Sequence, residues 1–193
     1  MDWPCIEFTK TVGWRPRDRS DDELVSYAAL VGWVARAGLL DDAAAARLTG
    51  RAEREPAEAA RVLEQARALR GAIYRLLLGV AEGQPPAADD LDTLSAHASA
   101  ALAARRLRPT PEGGYAWEWP ADTTPLERVL WPIAESAASL LTSPLVHRVR
   151  RCADDECGWL FVDESRNRSR RWCSMEGCGT RAKVMRYRQR QRM

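Results

Sequence analysis

The chain has 193 residues, of which 46% are hydrophobic and 29% charged, and its formal net charge is +2. This length and composition predict one or two domains with ample apolar side chains for a core. Residues 1–10 contain no basic segment followed by a long apolar stretch, and the longest apolar run, residues 24–40, is interrupted by Arg36. We therefore expect no signal peptide, no membrane-spanning helix and a cytoplasmic protein whose cysteines stay reduced.

The first elements are predicted to be a strand and then a helix. Residues 3–12 mix β-branched and aromatic side chains with polar ones, which is typical of a β-strand. Ser20 and Glu23 have the spacing of a capping box, and they predict the start of an apolar-periodic helix. Gly38 is expected to stop that helix.

The middle of the chain is predicted to be helical. Asp41 or Asp42 opens a short alanine-rich helix, and Pro56 suits the first turn of a long one. The apolar positions of the long helix recur every three or four residues, which is the strongest helical signal in the chain. They are Val62, Ala66, Leu69, Ile73, Leu76 and Val80. A further helix is predicted for residues 89–104.

An aromatic hairpin and two shorter helices are expected next. Residues 107–119 alternate around Gly113-Gly114, which predicts a β-hairpin with Tyr115, Trp117 and Trp119 on one face. We expect these rings to pack on the helices, and a pocket wall is the alternative.

The helix after the hairpin is predicted to start at Thr124 and to be kinked or split by Pro132, and Ser143 is expected to cap a short last helix. The fold class is therefore α+β, with a mainly helical N-terminal domain and a small antiparallel sheet.

Four of the five cysteines lie near the C-terminus, as Cys152-x4-Cys157 and Cys173-x4-Cys178 separated by 15 residues. Two pairs of equal spacing predict a tetrahedral metal site, with zinc as the ion. Four thiolates leave no open position, so the zinc is expected to be structural. Two disulfides or four separate thiols are the alternatives.

The order of elements around these cysteines predicts a treble-clef finger, with a zinc ribbon as the alternative. Residues 158–163 look like a strand that leaves the first pair, and residues 170–172 are expected to be its partner. Cys178 is expected at the start of the last helix, whose N-terminus favours a thiolate. A segment this short buries too little apolar area to fold alone, so zinc is expected to supply its folding energy.

The positive charge is concentrated at the end of the chain. Residues 165–193 contain ten basic residues and one acid, whereas residues 1–146 contain sixteen basic and twenty-one acidic ones. Such an asymmetry is typical of a segment that binds a polyanion. The predicted nucleic-acid-binding residues are Arg166, Arg168, Arg170, Arg171, Trp172, Arg181, Lys183, Arg186, Arg188, Arg190 and Arg192.

On the last helix these cations form two stripes, with Val184 and Tyr187 between them. We expect Val184 and Tyr187 to pack on the finger, and the two stripes to contact phosphates on both walls of a groove. A solvated helix whose charges only keep the protein soluble is the alternative.

The run CGWLFVDESRNRSRRWCSMEGCGTRAK resembles the bacterial CGNR zinc fingers, whose name-giving residues here read Cys178-Gly179-Thr180-Arg181. Thr180 departs from the family's asparagine, which would either cap the helix or read a base. The resemblance extends to the N-terminal ABATE domain, described as a stress-induced transcription regulator. It implies an ABATE-like domain in residues 1–146 and a CGNR-type zinc finger with a basic C-terminal helix in residues 147–193.

These observations predict a transcription regulator that binds DNA through the finger and the arginine-rich helix. The resemblance implies that the N-terminal domain senses a stress signal or small-molecule ligand, or mediates assembly. A homodimer is the assembly that we expect of a regulator. An RNA-binding protein and a zinc-stabilised protein-interaction module are the alternatives. We do not expect an enzyme, because the sequence has no phosphate-binding glycine loop, only two histidines and a closed metal site.

Overall fold

A computed structural model describes residues 3–13, 22–120 and 125–191. These residues form seven α-helices and two antiparallel two-stranded sheets, which confirms the predicted fold class. The helices are α1 (Pro4–Thr9), α2 (Tyr27–Arg36), α3 (Asp42–Arg54), α4 (Pro56–Glu82), α5 (Ala88–Ala103), α6 (Trp131–Thr142) and α7 (Thr180–Arg190). The strands are β1 (Arg106–Pro109), β2 (Tyr115–Glu118), β3 (Val149–Arg151) and β4 (Leu160–Val162). Among the described helices, none is both long and apolar enough to cross a bilayer.

The predicted N-terminal strand is wrong, because these residues form α1. Pro4 occupies the first turn of the helix, where its fixed φ suits a helix and its missing N–H costs nothing. The buried side chains are Cys5, Ile6, Phe8 and Thr9, a spacing that places one helical face against α4 and α6. Tertiary packing therefore overrides the local strand preference.

Helix α2 begins at a different cap from the predicted one. Ser26 is its N-cap, and the Ser26 hydroxyl accepts a hydrogen bond from the Ala29 N–H at 3.1 Å. The predicted capping residue Ser20 lies outside the described residues. Gly38 follows the helix with a φ of 71°, as expected of a glycine stop.

Helix α4 is the centre of the core, and α1, α2, α5 and β3 all contact it. Its predicted apolar face is buried from Val62 to Leu76, but Val80 is exposed near the end of the helix. On the side of α4 that contacts the N-terminal segment, Arg70 donates to the two Asp22 carboxylate oxygens at 2.7 and 2.6 Å and to the Thr11 hydroxyl at 2.9 Å. This ion pair, in which Arg70 is nearly buried and Asp22 partly exposed, ties Asp22 to α4.

The β1–β2 hairpin forms where it was predicted, but its aromatic side chains do not all pack on the helices. Tyr115 is 73% exposed and Trp117 61% exposed, which corrects that expectation for both. Trp119 does pack, because its indole N–H donates to the Ala101 carbonyl at 2.8 Å and its ring lies 6.1 Å from that of Trp131. Only the base of the hairpin therefore reaches the helices.

The chain enters its last part through two helical segments. A 3₁₀ turn, Leu126–Leu130, precedes α6, and Pro132 lies in the first turn of α6, so of the predicted kink or split the structure shows the split. The predicted start at Thr124 lies outside the described residues. The Ser143 hydroxyl accepts from the Leu145 N–H at 3.2 Å and caps the 3₁₀ turn Pro144–Arg148, which leads into β3.

Strands β3 and β4 attach the cysteine-rich segment to the helical core. Val149 pairs with Val162 in the antiparallel sheet, and both belong to the same buried cluster as the α4 side chains, together with Leu160. The Tyr74 hydroxyl on α4 donates to the Gly158 carbonyl at 2.9 Å. The finger thus packs directly on the longest helix.

The prediction that residues 170–172 pair with the strand leaving the first cysteine pair is wrong. The partner is β3, which leads into that pair, so the two strands and the turn between them form one hairpin. The Cys152 N–H donates to the Trp159 carbonyl at 2.9 Å and continues the pairing beyond the strands. Pairing with β3 places Val149 beside Val162 in the buried cluster, whereas Arg170 and Arg171 are exposed and bring no apolar side chain to that core.

Candidate metal centre and basic helix

The four predicted metal ligands lie together. Cys152 follows β3, Cys157 ends the turn before β4, Cys173 precedes the helical turn that leads into α7, and Cys178 lies within that turn. All four are buried, and their Sγ atoms lie within 4.8 Å of one another. The Cys173 Sγ is 3.7 Å from both the Cys157 and the Cys178 Sγ. All five cysteines of the chain are described and none is in a disulfide, so the disulfide alternative is wrong.

Backbone hydrogen bonds hold the first cysteine pair in place. The Cys157 N–H donates to the Asp154 carbonyl at 2.8 Å and closes the turn. The Ala153 N–H donates to the Arg171 carbonyl at 2.9 Å, which brings the two cysteine pairs together. The Cys173 N–H donates to the Cys152 sulfur at 3.5 Å, which links the second cysteine pair to the first.

The second pair spans a wide helical turn, Met175–Gly179, that runs directly into α7. The Ser174 hydroxyl accepts from the Gly177 N–H at 3.2 Å and caps this turn. Cys178 therefore lies in the first turn of the continuous helical segment, as predicted. The Thr180 hydroxyl donates to the Met175 carbonyl at 3.0 Å, so Thr180 closes the turn from within instead of capping a helix.

The thiols strongly affect one another's ionisation. A hydrogen bond from the Cys173 thiol lowers the pKa of Cys157 to about 5. The same bond and burial raise the pKa of Cys173, and burial raises the pKa of Cys178 to about 12. One thiolate is therefore easily formed, whereas ionisation of all four needs a cation among them.

Asp163 organises the loop between the two cysteine pairs, a role that its sequence position did not reveal. It is buried, and its carboxylate accepts hydrogen bonds from the Ser165 N–H at 3.0 Å, the Ser165 hydroxyl at 2.5 Å and the Arg170 N–H at 3.1 Å. Burial alone would raise the pKa of Asp163, but these hydrogen bonds outweigh it and the pKa is lowered. The sequence signal is Asp-x-Ser after a strand, the pattern of a side-chain-closed turn.

Two predicted nucleic-acid contacts have partners inside the finger. The Arg170 guanidinium lies 4.6 Å from the centre of the Phe161 ring and donates to the carbonyls of Trp172 and Cys173. Arg181 lies 3.0 Å from an Asp154 carboxylate oxygen, as an ion pair rather than a well-aligned hydrogen bond. Both side chains therefore support the cysteine cluster.

The other cations of the loop lie at the surface. Arg166, Arg168 and Arg171 are exposed, and Arg171 lies 5.4 Å from the centre of the half-buried Trp172 ring. Arg168 adopts a φ of 52° in the tight turn between the cysteine pairs. This turn therefore presents Arg166 and Arg168 to the solvent.

Helix α7 has no buried residue, and it is exposed from Lys183 onward. Val184 is 42% exposed and Tyr187 65% exposed, so the prediction that they pack on the finger is wrong. The side that faces the finger instead carries Ala182, Met185 and Arg186. These residues line a cleft of about 250 Å³ together with Asp154, Asp155, Glu156, Arg171 and Trp172. Lys183, Arg188 and Arg190 are exposed, and Arg192 lies outside the described residues.

Comparison with protein families gives two matches. Residues 2–144 match ABATE, described as "Putative stress-induced transcription regulator", and residues 148–191 match the CGNR zinc finger. The chain belongs to the ABATE family. Its CGNR finger contains the whole four-cysteine cluster. No curated protein matches the chain.

The ABATE part and the CGNR finger share buried side chains, because β3 and β4 pack on α4. The division after residue 146 stays a prediction, since this packing places residues from both sides of it in one core.

Proposed function

We propose that the four cysteines hold one structural zinc ion. A tetrahedral ion with Zn–S bonds of about 2.3 Å separates its sulfur ligands by roughly 3.8 Å. The 3.7 Å separations from Cys173 to Cys157 and Cys178 fit that geometry without rearrangement. The ion would supply the positive charge that lets four buried thiols ionise together, and it would fix the position of α7 relative to the first hairpin.

We propose that the protein regulates transcription by binding duplex DNA through the finger and α7. The observation that carries this proposal is an exposed basic helix in which most of the cations form no ion pair. Within the described part of the chain, no ion pair involves the α7 side chains Lys183, Arg186, Arg188 and Arg190, nor Arg166 and Arg168 of the loop. Six unpaired cations in the finger are more than solubility requires, and phosphates are their natural partners.

The proposal predicts a strong dependence of affinity on salt. If six phosphates are neutralised, log affinity falls against log salt concentration with a slope of about −5. Fluorescence anisotropy with a labelled duplex, measured between low and physiological salt, gives this slope directly.

A triple variant and a matched control test which cations are responsible. Replacing Arg186, Arg188 and Arg190 with alanine should flatten the slope to about −2.5, because three contacts of about 0.9 each are lost. Replacing the exposed Arg36, Arg54 and Arg108 outside the finger removes the same charge and should leave the slope unchanged. An equal response of both triple variants would refute the proposed interface.

Structured RNA as a competitor distinguishes DNA binding from the RNA alternative. Capture of a partner protein that survives nuclease treatment tests the protein-interaction alternative.

We further propose that the protein is cytoplasmic and that the ABATE part binds a signal or ligand and thereby affects the finger. In this proposal the ABATE part is not an enzyme. Support comes from the contacts between the ABATE part and the finger: Tyr74 on α4 holds the Gly158 carbonyl, and the Lys10 ammonium lies 5.7 Å from the centre of the Trp159 ring. A signal or small molecule that shifts α1 or α4 would reach the first cysteine pair through these contacts. To test this link, the full chain is purified from cells before and after oxidative, acid or osmotic stress, and the DNA affinities of the two preparations are compared.

Sedimentation of the free chain tests whether it is a homodimer.

A further inference from the structure

Helix α7 has one side that faces away from the finger. Ala182 and Met185 line the cleft on the finger side. At about 100° per residue, Val184, Tyr187 and Gln191 lie on the opposite side. We call these three residues the outer face of α7.

The outer face is apolar at its centre and basic at both margins. Arg188 and Arg190 lie about 160° apart around the helix, and the outer face fills the arc between them. Val184 and Tyr187 remain 42% and 65% exposed, and packing within the described chain does not account for them. Exposed apolar residues framed by charge indicate a contact surface.

We propose that the outer face reads A·T base pairs in the major groove of duplex DNA, while the flanking cations bind phosphates. This inference rests on the proposed DNA binding. The groove is about 12 Å wide and admits one helix, and the 11 residues of α7 extend about 16 Å, enough to follow it. The cations at both margins match the two negatively charged walls of the groove.

The chemistry of the outer face matches thymine and adenine. The thymine 5-methyl group is the apolar feature of the major groove, and Val184 and Tyr187 offer it apolar surface. The amide of Gln191 can donate to adenine N7 and accept from its N6 amine. In A-form RNA the major groove is too narrow for such a helix, so duplex DNA is the partner that this face fits.

The test removes single methyl groups from the DNA. Duplexes enriched by the wild-type chain from a random library are resynthesised with deoxyuridine in place of thymidine, one position at a time. Each contacted methyl should contribute about fourfold to affinity, the equivalent of about 0.8 kcal/mol. The double variant Val184→Ala/Tyr187→Ala should bind the thymine and uracil duplexes equally and keep the wild-type salt slope. The control Arg188→Ala should keep the thymine preference and reduce the steepness of the slope by about 0.9.

The outcomes separate this inference from the DNA-binding proposal. If the double variant keeps the thymine preference, or if the wild type enriches no sequence, the inference is overturned, although salt-dependent duplex binding still supports the proposed function. If the wild type binds no duplex, or binds structured RNA more tightly, both are overturned. Both replaced side chains are exposed, and equal circular dichroism of variant and wild type confirms that the helix persists.

Discussion

The ion pair between Arg181 and Asp154 gives the sharpest prediction, because two roles for Arg181 predict opposite effects of a change at its partner. As a phosphate contact, Arg181 would be released by Asp154→Asn, and DNA affinity would rise. As a residue that positions α7, it would lose its anchor, and affinity would fall. The structure favours positioning, because the Asp154 side chain is only 9% exposed and lies 3.0 Å from Arg181.

The size of the effect follows from the exposure of the pair. Exposed ion pairs contribute about 0.2–1 kcal/mol, and the Arg181 side chain is 32% exposed against a nearly buried partner, so we expect about 1 kcal/mol. If α7 must be held in place on the finger to bind DNA, the loss of this contact is transmitted to binding. Asp154→Asn and Arg181→Ala should then each lower DNA affinity about fivefold. The double variant should be little worse than either single one, since both changes remove the same contact.

The assay is anisotropy at several salt concentrations. Positioning predicts that both single variants keep the salt slope of the wild type, because no phosphate contact is lost. The reasoning is refuted if Arg181→Ala reduces the steepness of the slope by about 0.9 while Asp154→Asn strengthens binding.

Three further predictions concern the metal, the ion pair between Arg70 and Asp22, and the attachment of the finger. The purified protein should contain one zinc per chain by elemental analysis. Removing the zinc with a strong chelator should abolish DNA binding and the protection of the α7 amides from hydrogen exchange. The amides of β3 and β4 should stay protected. Arg70 lowers the pKa of Asp22, so this pair should stabilise the fold above the unfolded-state pKa of about 3.9 and lose its effect as pH falls through the lower folded-state pKa. Asp22→Asn should therefore lower the free energy of unfolding by about 2 kcal/mol at pH 7 and by much less at pH 2, as chemical denaturation can measure. Tyr74→Phe removes the hydrogen bond to Gly158 and should cost about 1 kcal/mol in the same measurement, with the zinc content unchanged.

The elements that the sequence predicted well are those set by local spacing. The cysteine pairs, the long apolar stripe of α4 and the glycine stop at Gly38 each depend on residues within a few turns of one another. Elements that depend on distant partners were predicted less well. Whether residues 3–12 form a strand or a helix is decided by packing against α4 and α6. The partner of β4 is decided by which strand brings an apolar side chain, Val149, into the buried core.

The same distinction applies to the candidate site. Sequence composition located the basic segment but could not tell which cations are already paired. Arg170 and Arg181 look like Arg188 in the sequence, yet the first is held by backbone carbonyls and the second by a carboxylate far from it in the chain. Val184 and Tyr187 have the spacing of core residues, and only the direction in which α7 leaves the finger places them in solvent.

The finger depends on two sources of stability that act on different parts of it. Strands β3 and β4 bury Val149, Leu160 and Val162 in the helical core, so the hairpin is held whether or not a metal is bound. The loop and α7 beyond Asp163 have no such core, because α7 buries no side chain and an isolated helix of 11 residues is marginal in water. The expectation that zinc supplies the folding energy therefore applies to this second part rather than to the whole finger. The four thiols stand where the two parts meet, so a signal passed through α4 to the hairpin would move half of the ligand set relative to the other half, and with it the helix proposed to contact DNA.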